Sequence, residues 1–320
     1  RKKLKLSKPY PMPIILGYYC YFNFKPTISF RYSLIHKSDY KKVINYSSFV
    51  FLGGISGSIM MYTDTLMLSS LEGFGAAGIY TIAFFAGTVI EIPKRAIISI
   101  SSPIIAKYWN ENNQTEINNL YKKTSINQGA VGLLLLLLLW INLDELFSIL
   151  PNSKIYSKGK YVAVFIGLAR VVDMFAGINS EILQTSKKYK YNFILIITFI
   201  GVSVILNWIL IPLYNLNGAA IASLISVSLY NFARYLLLKG FFNFNPFSFK
   251  SLKLLAIWVV VLGFGLFFPT ILENTNQFNI IINIAIKTII VGTIFIALIY
   301  GFKVSKEINK LLKKYLNFLP

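Results

Sequence analysis

Cysteine, histidine and acidic side chains are scarce in this 320-residue chain. The single cysteine, Cys20, excludes an internal disulfide, and the single histidine, His36, leaves no His/Cys cluster for a metal ion. We therefore expect neither a metal nor a cofactor. No early basic segment leads into an apolar core with a small-residue cleavage site, so the sequence predicts no cleavable signal peptide.

Long apolar runs dominate what is present. Apolar residues make up 55% of the chain, and the mean hydropathy is +0.60. A helix of about 20 apolar residues crosses the ~30 Å hydrocarbon core of a bilayer, so the sequence predicts an all-α polytopic membrane protein. The eight predicted transmembrane helices are residues 46–70, 76–102, 126–147, 161–183, 191–212, 218–238, 253–272 and 279–301. We divide the chain into a basic segment (1–45), a six-helix bundle (46–240), a terminal helix pair (241–301) and a basic tail (302–320).

The formal charge of +20 arises from 32 Lys and Arg against 12 Asp and Glu. If the spans alternate in direction, 24 basic residues lie on one side of the membrane and three on the other. Because basic residues accumulate on the cytoplasmic side, we expect both termini in the cytoplasm and no nucleic-acid partner. The remaining five lie within spans: Lys94, Arg95, Arg170, Arg234 and Lys287.

Charged side chains in the first two spans are candidates for function. Asp64 lies in the first span, where an acid costs about 2.5–3.5 kcal/mol and normally faces protein or a water-filled cavity. In the second span, Pro93 predicts a kink. Glu91 and Arg95 are four residues apart and can neutralise each other, with Lys94 beside them. This pair fits a structural role and a role in a translocation path equally well.

The fourth span has a polar face. Helical spacing predicts one continuous stripe, formed by Arg170, Asp173, Gly177, Glu181 and Gln184. Arg170 and Asp173 fall near the middle of the membrane, where charges are expensive. They form either a buried pair that fixes helix packing, or a cavity-facing cation for a phosphate that Asp173 holds in place.

Two segments carry no predicted chemistry. The third span contains seven consecutive leucines and is apolar on every side, which favours a lipid-facing scaffold. Residues 103–125 are polar and predict a cytoplasmic connection with a short interfacial helix. We assign neither segment to a site.

Three short patterns occur in order along the chain. D-x-x-M-L begins at Asp64, G-I-Y-x-x-A begins at Gly78, and a turn rich in small residues runs from Pro212 to Ala222, just after Asn207. Together they resemble the polysaccharide and lipid-linked oligosaccharide flippases, in the superfamily that also holds the MATE drug exporters and the lipid II flippase. The resemblance covers roughly residues 40–301. It is to the C-terminal half of a flippase, which is the second helix bundle plus the terminal helix pair.

The resemblance implies transport of undecaprenyl-diphosphate-linked oligosaccharide across the bacterial inner membrane, for O-antigen, capsule or exopolysaccharide biosynthesis. It also implies a facing N-terminal bundle, which we expect upstream of residue 1. Cations for the diphosphate would come from Arg170, held by Asp173, and from Arg95 or Lys94. Asp64 or Glu91 would couple transport to H⁺ or Na⁺.

Other function classes stay open. A MATE-like cation-coupled exporter would use the same fold with an acid-dominated cavity, and the excess of cations within the spans argues against it. A non-transporting membrane scaffold of a glycan-assembly complex would need no cavity. A membrane glycosyltransferase or polymerase would need a large polar outer loop with clustered acids. The longest outer loop here is about 13 residues (148–160) and no D-x-D is present, so we do not expect an enzyme.

Overall fold

The computed structural model describes residues 62–269, 271–272 and 276–316, and isolated positions before them (Tyr21, Phe22, Tyr40, Val43, Ile44, Ser47, Ser48 and Phe51). The chain divides into two compact units, Arg1–Ser48 and Phe49–Pro320. Of the first unit only a few positions are described, so most of the predicted basic segment and the start of the first predicted span lie outside the described residues. The described part of the second unit consists of helices joined by short turns, which confirms the all-α class.

The helices are numbered in chain order. They are α1 (62–72), α2 (Phe74–Thr88), α3 (Ile92–Asn110), α4 (Gln114–Ile141), α5 (Leu143–Ile149), α6 (Ser153–Tyr156), α7 (Lys160–Phe175), α8 (Asn179–Thr185), α9 (Tyr189–Phe242), α10 (Phe249–Leu266), α11 (Gln277–Gly301) and α12 (Lys306–Leu316). Within the described residues, five helices are long and apolar enough to cross a membrane, counting α2 with α3 as one, and the bent segment that contains α7 and α8 brings the number to six. This supports a membrane protein, and the count of eight spans stays a prediction.

The longest helix, α9, is a hairpin. At 1.5 Å per residue its 54 residues would reach about 80 Å, far beyond the thickness of a bilayer. Asn215 interrupts it with non-helical angles, φ 50° and ψ −127°. Beyond the break the chain returns, because the ring of Tyr191 lies 4.9 Å from that of Phe241, and the ring of Phe199 lies 5.6 Å from that of Tyr230. The turn lies where the sequence predicts one.

Small residues make the hairpin possible. Its first arm (residues 189–214) passes so close to the second (216–242) that a Cβ on Gly218 would collide with the backbone carbonyl of Leu210. The three alanines after Gly218 are fully buried (Ala219, Ala220 and Ala222). These small side chains therefore serve close packing of the two arms.

The leucine-rich helix α4 is central, and the prediction of a lipid-facing scaffold was wrong. Its apolar window is 56% buried, against 17–33% for the other long helices. Leu133, Leu136 and Leu137 belong to the core shared with α7, α10 and α11, and Trp258 donates its indole N–H to the Leu133 carbonyl at 2.9 Å. A helix that is apolar on every side suits burial as well as lipid, so periodicity could not distinguish them.

Two predicted boundaries also differ from the structure. The fourth span breaks after Phe175, and Gly177 in the break adopts φ +61°. Because α8 is bent by 51° from the segment Ser153–Phe175 before it, the predicted stripe from Arg170 to Gln184 is not continuous. The connection predicted at 103–125 is only a turn at 111–113, because α3 continues through Pro103 and α4 begins at Gln114. Next to Pro93, one 3₁₀ turn (Val89–Glu91) joins α2 to α3, which together still form one apolar span, so the predicted kink stays a prediction.

The turns alternate between two ends of the bundle. At the hairpin end, the side-chain amide of Asn215 is turned so that its nitrogen donates, and this nitrogen lies 2.9 and 3.1 Å from the two carboxylate oxygens of Glu72, the last residue of α1. At the opposite, tail end, Lys123 near the start of α4 pairs with Glu307 of α12 at 3.5 Å. Lys154 and its neighbours before α7 lie at the hairpin end, since Gly159 contacts the side chain of Ile79 early in α2. Which end faces the cytoplasm stays a prediction.

Candidate functional site

Buried polar side chains form a column between the second arm of α9 and the helices packed against it. On the arm they recur at i, i+3, i+7, i+8 and i+11, which places them on one helix face over about 16 Å. They are Ser223, Ser226, Tyr230, Asn231 and Arg234. The side chains that meet them come from α1, α2, α7, α8, the α2–α3 junction and the first arm. We call this set the polar column.

Asp64 of α1 occupies the hairpin end of the column. It is 1% exposed and accepts hydrogen bonds from the Tyr80 hydroxyl at 3.0 Å, the Asn207 amide at 2.7 Å and the Ser223 hydroxyl. All three donors are neutral, and within the described part of the chain no cation pairs with this carboxylate. Burying an unpaired charge is costly, so the site suits a proton or a small cation that neutralises Asp64.

Four charged side chains meet halfway along the column, and their pairing differs from the prediction. Lys94 pairs with Asp173, and Arg170 pairs with Glu91 at 3.0 Å. The predicted pairs within single helices, Glu91 with Arg95 and Arg170 with Asp173, are therefore replaced by pairs between helices. The reason is that α2 and α7 run side by side, so each charge finds a partner across the interface, whereas Arg95 is exposed.

Amides extend this cluster. The second oxygen of the Asp173 carboxylate accepts a hydrogen bond from Asn231 at 3.1 Å, and the amide oxygen of Asn231 accepts one from Asn179 at 2.9 Å. Lys94 also lies 3.4 Å from the backbone carbonyl of Asp173. The break between α7 and α8 is what allows Asn179, at the start of α8, to reach the second arm of α9.

Arg234 occupies the tail end of the column. Its Nε donates to Asn192 of the first arm at 3.1 Å, its terminal nitrogen contacts the Tyr230 hydroxyl, and its guanidinium lies 3.8 Å from the Tyr230 ring centre. Among the described residues no carboxylate lies within ion-pair distance of it. Glu181 of α8 follows Asn179 by two residues, and its Oε2 is buried without a hydrogen-bond partner in the described structure.

Sequence reasoning missed the roles of Tyr80, Asn179, Asn231 and Arg234, and singled out Asn207 without assigning it a role. A signal was present, because the polar positions of the second arm follow helical spacing inside an otherwise apolar run. It does not say which helices face that stripe. Asn207 and Asp64 are 143 positions apart in the chain.

The column is partly open. The side chains of Asp173, Arg170 and Glu91 are 16%, 20% and 24% exposed. Buried polar atoms without a hydrogen-bond partner in the described structure lie along it: Arg170 Nε, Glu181 Oε2, Asn179 Oδ1, Asn207 Oδ1 and Ser226 Oγ. Such groups normally bind protein, water or ligand. The column can therefore hold ions or polar groups.

The charge count of the column changes one argument from the sequence. Arg95 is exposed, and Lys287 pairs with Glu145 at 2.5 Å, away from the column. The charges that remain in the column are three cations (Lys94, Arg170 and Arg234) and four carboxylates (Asp64, Glu91, Asp173 and Glu181). The excess of cations that argued against a cation-coupled exporter is therefore not found there.

Comparison with protein-family models and with the curated proteins found no match for this chain.

Proposed function

We propose that the chain forms one wall of a membrane transporter whose cargo is a polyprenyl-diphosphate-linked oligosaccharide. The residues that resemble those of flippases support the class of cargo, and the polar column supports a transport path. In this proposal the chain crosses the bacterial inner membrane eight times with both termini in the cytoplasm. A second helix bundle faces the open side of the column.

Two ion pairs between α7 and the α2–α3 junction, Lys94 with Asp173 and Arg170 with Glu91, carry the proposal. Charges deep in a spanning helix are expensive and mostly occur where they face a polar path or a partner charge. These charges are not sealed inside the bundle, because the side chains of Arg170 and Glu91 are about one-fifth exposed. A polar cargo can therefore reach them without disrupting the bundle.

Arg170 is the residue that we assign to the diphosphate. A guanidinium has five N–H donors, so pairing with Glu91 leaves donors free, and Nε has no partner in the described structure. Asp173 holds Lys94 rather than Arg170, which makes Lys94 the second cation of the site. Arg95 is exposed one position further along α3 and belongs to the proposed site only if the facing bundle covers it.

A second candidate, a cation-coupled exporter, is favoured by Asp64. Its carboxylate lacks a cationic partner, and the unpartnered Oδ1 of Asn207 adds an oxygen ligand beside it. The carboxylate oxygens of Asp64 together with the amide oxygen of Asn207 suit Na⁺, and the Asp64 carboxylate alone suits H⁺. The same site could drive glycan transport, so the candidates differ in cargo rather than in the ion.

The test uses variants of Arg170 and Glu91 in the native host, with surface glycan and membrane protein level as readouts. Arg170→Ala should abolish surface glycan, and Arg170→Lys should restore it only partly, because an ammonium lacks the planar fork that matches phosphate oxygens. Lys154→Ala, exposed at the hairpin end, is the control and should change neither readout.

The double variant separates binding from packing. Arg170→Ala leaves Glu91 without its partner, which can lower the protein level, whereas Arg170→Ala with Glu91→Ala removes both charges. Normal protein level without surface glycan supports the binding role. Normal protein level with normal surface glycan refutes it, because transport then needs no cation at this position. If the Arg170 variants keep normal surface glycan but lose resistance to cationic compounds, while Lys154→Ala keeps both, the result indicates the exporter instead.

A further inference from the structure

The last described helix, α12, has an almost uninterrupted lysine face. Lys306, Lys310, Lys313 and Lys314 fall within about 100° of one another on a helical projection, and all four are exposed. The one acid of the helix, Glu307, pairs with Lys123 of α4 at 3.5 Å. Within the described structure none of the four lysines forms an ion pair.

The position of α12 is fixed. Ser305 donates its hydroxyl to Asn127 of α4 at 2.6 Å and accepts the backbone N–H of Ile308 at 3.2 Å, which caps the start of the helix. The preceding residue, Val304, is fully buried. The helix therefore lies at the tail end of the bundle rather than on a free linker.

The opposite face of α12 is apolar. Ile308 packs against the core that α4, α10 and α11 share. Leu311, nearly one turn further, is 57% exposed, and Phe302 just before the helix is 59% exposed. An apolar face next to the ends of spanning helices, with lysines opposite, is typical of a helix that lies in the membrane interface.

We propose that α12 is a binding site for anionic phospholipid headgroups. Its lysines face the phosphates while Leu311 enters the acyl boundary, a combination that a nucleic acid or a free anion does not match. Each lysine near an anionic surface contributes about fivefold to binding at low salt. Lys122 and Lys303, both exposed at the same end, enlarge the site. This proposal is independent of the cargo of the polar column.

The test places an environment-sensitive fluorophore on Leu311→Cys in a Cys20→Ser chain reconstituted into vesicles. In phosphatidylcholine with a rising fraction of phosphatidylglycerol, the emission should shift towards an apolar environment, and concentrated salt should reverse the shift. Replacing the four lysines with Gln should weaken this response by about 100-fold or more, and Lys310→Gln alone by about fivefold. Inorganic phosphate at the same ionic strength should compete no better than chloride.

The matched control carries Lys154→Gln and Lys158→Gln, which remove two lysines from the hairpin end and should leave the response unchanged. An equal shift in pure phosphatidylcholine would overturn the proposal, since apolar insertion would then suffice. So would a response that survives the four Gln substitutions. Competition by phosphate alone would show a site for a free anion and would also overturn it. Circular dichroism of each variant checks that the bundle is folded.

Discussion

The buried ion pair between α5 and α11 allows a sharp test of how the terminal helix pair is attached. Lys287 lies 2.5 Å from Glu145, and their side chains are 10% and 6% exposed. Next to it in sequence, Asp144 pairs with Lys160, but the Asp144 side chain is 76% exposed. The two pairs therefore share a helix and differ in burial.

Lys287→Met leaves a carboxylate buried without its partner. Breaking a buried pair in this way costs about 3–5 kcal/mol, which corresponds to a fall in the unfolding temperature of roughly 6 °C or more. Lys160→Met breaks the exposed pair, which contributes about 0.2–1 kcal/mol, so we expect a fall of about 2 °C. Combining Lys287→Met with Glu145→Leu removes both buried charges and should recover most of the loss.

The measurement is the temperature at which half of the detergent-solubilised protein stops eluting as a single folded species. Equal losses for Lys287→Met and Lys160→Met would contradict the reasoning, because burial would then make no difference. Failure of the double variant to recover would mean that Lys287 acts through packing of its aliphatic chain rather than through its charge. Surface glycan should follow protein level in all three variants, since this pair lies away from the polar column.

Two further predictions concern packing. Gly218→Ala should cost about 3 kcal/mol, the upper end of the usual cost of overpacking, and reduce the protein in the membrane, because its Cβ would collide with the carbonyl of Leu210. Gly240→Ala has open space around it and should be neutral or stabilise by up to about 1 kcal/mol, so equal protein levels for the two variants would contradict this reasoning. Trp258→Phe removes the hydrogen bond to the Leu133 carbonyl and should therefore lower the free energy of unfolding by about 1–2 kcal/mol. The heating assay described above measures this loss, and an unchanged unfolding temperature would count against the hydrogen bond.

Much of this fold could be predicted because its signals are local. Apolar runs of the required length predicted the helices, and the small residues between Pro212 and Ala222 predicted the turn of α9. Each of these depends on backbone or side-chain properties within a few neighbouring residues.

The rest depends on which helices are neighbours, and a single periodic pattern does not contain that information. The charges at positions 91 and 95 and those at positions 170 and 173 were predicted to pair, each pair within its own helix. A partner four residues away and a partner on the next helix satisfy a charge equally well. Only the parallel packing of α2 on α7 decides between them. The burial of α4 and the break at Gly177 were missed for the same reason.

The arrangement of charge along the column gives the proposed transport a direction. The central charges cancel in pairs, which leaves three groups of the column without an ion pair among the described residues: Asp64, Glu181 and Arg234. Asp64 lies at the hairpin end and Arg234 at the tail end, about 16 Å apart along the second arm of α9. In the proposed orientation the tail end faces the cytoplasm. At the tail end Glu181 accompanies Arg234, so an arriving anionic headgroup meets a guanidinium beside a carboxylate, whereas at the hairpin end an external cation meets the carboxylate of Asp64 without a cationic partner in the described structure. If the orientation were reversed, the unpaired carboxylate of Asp64 would face the anionic headgroup and repel it.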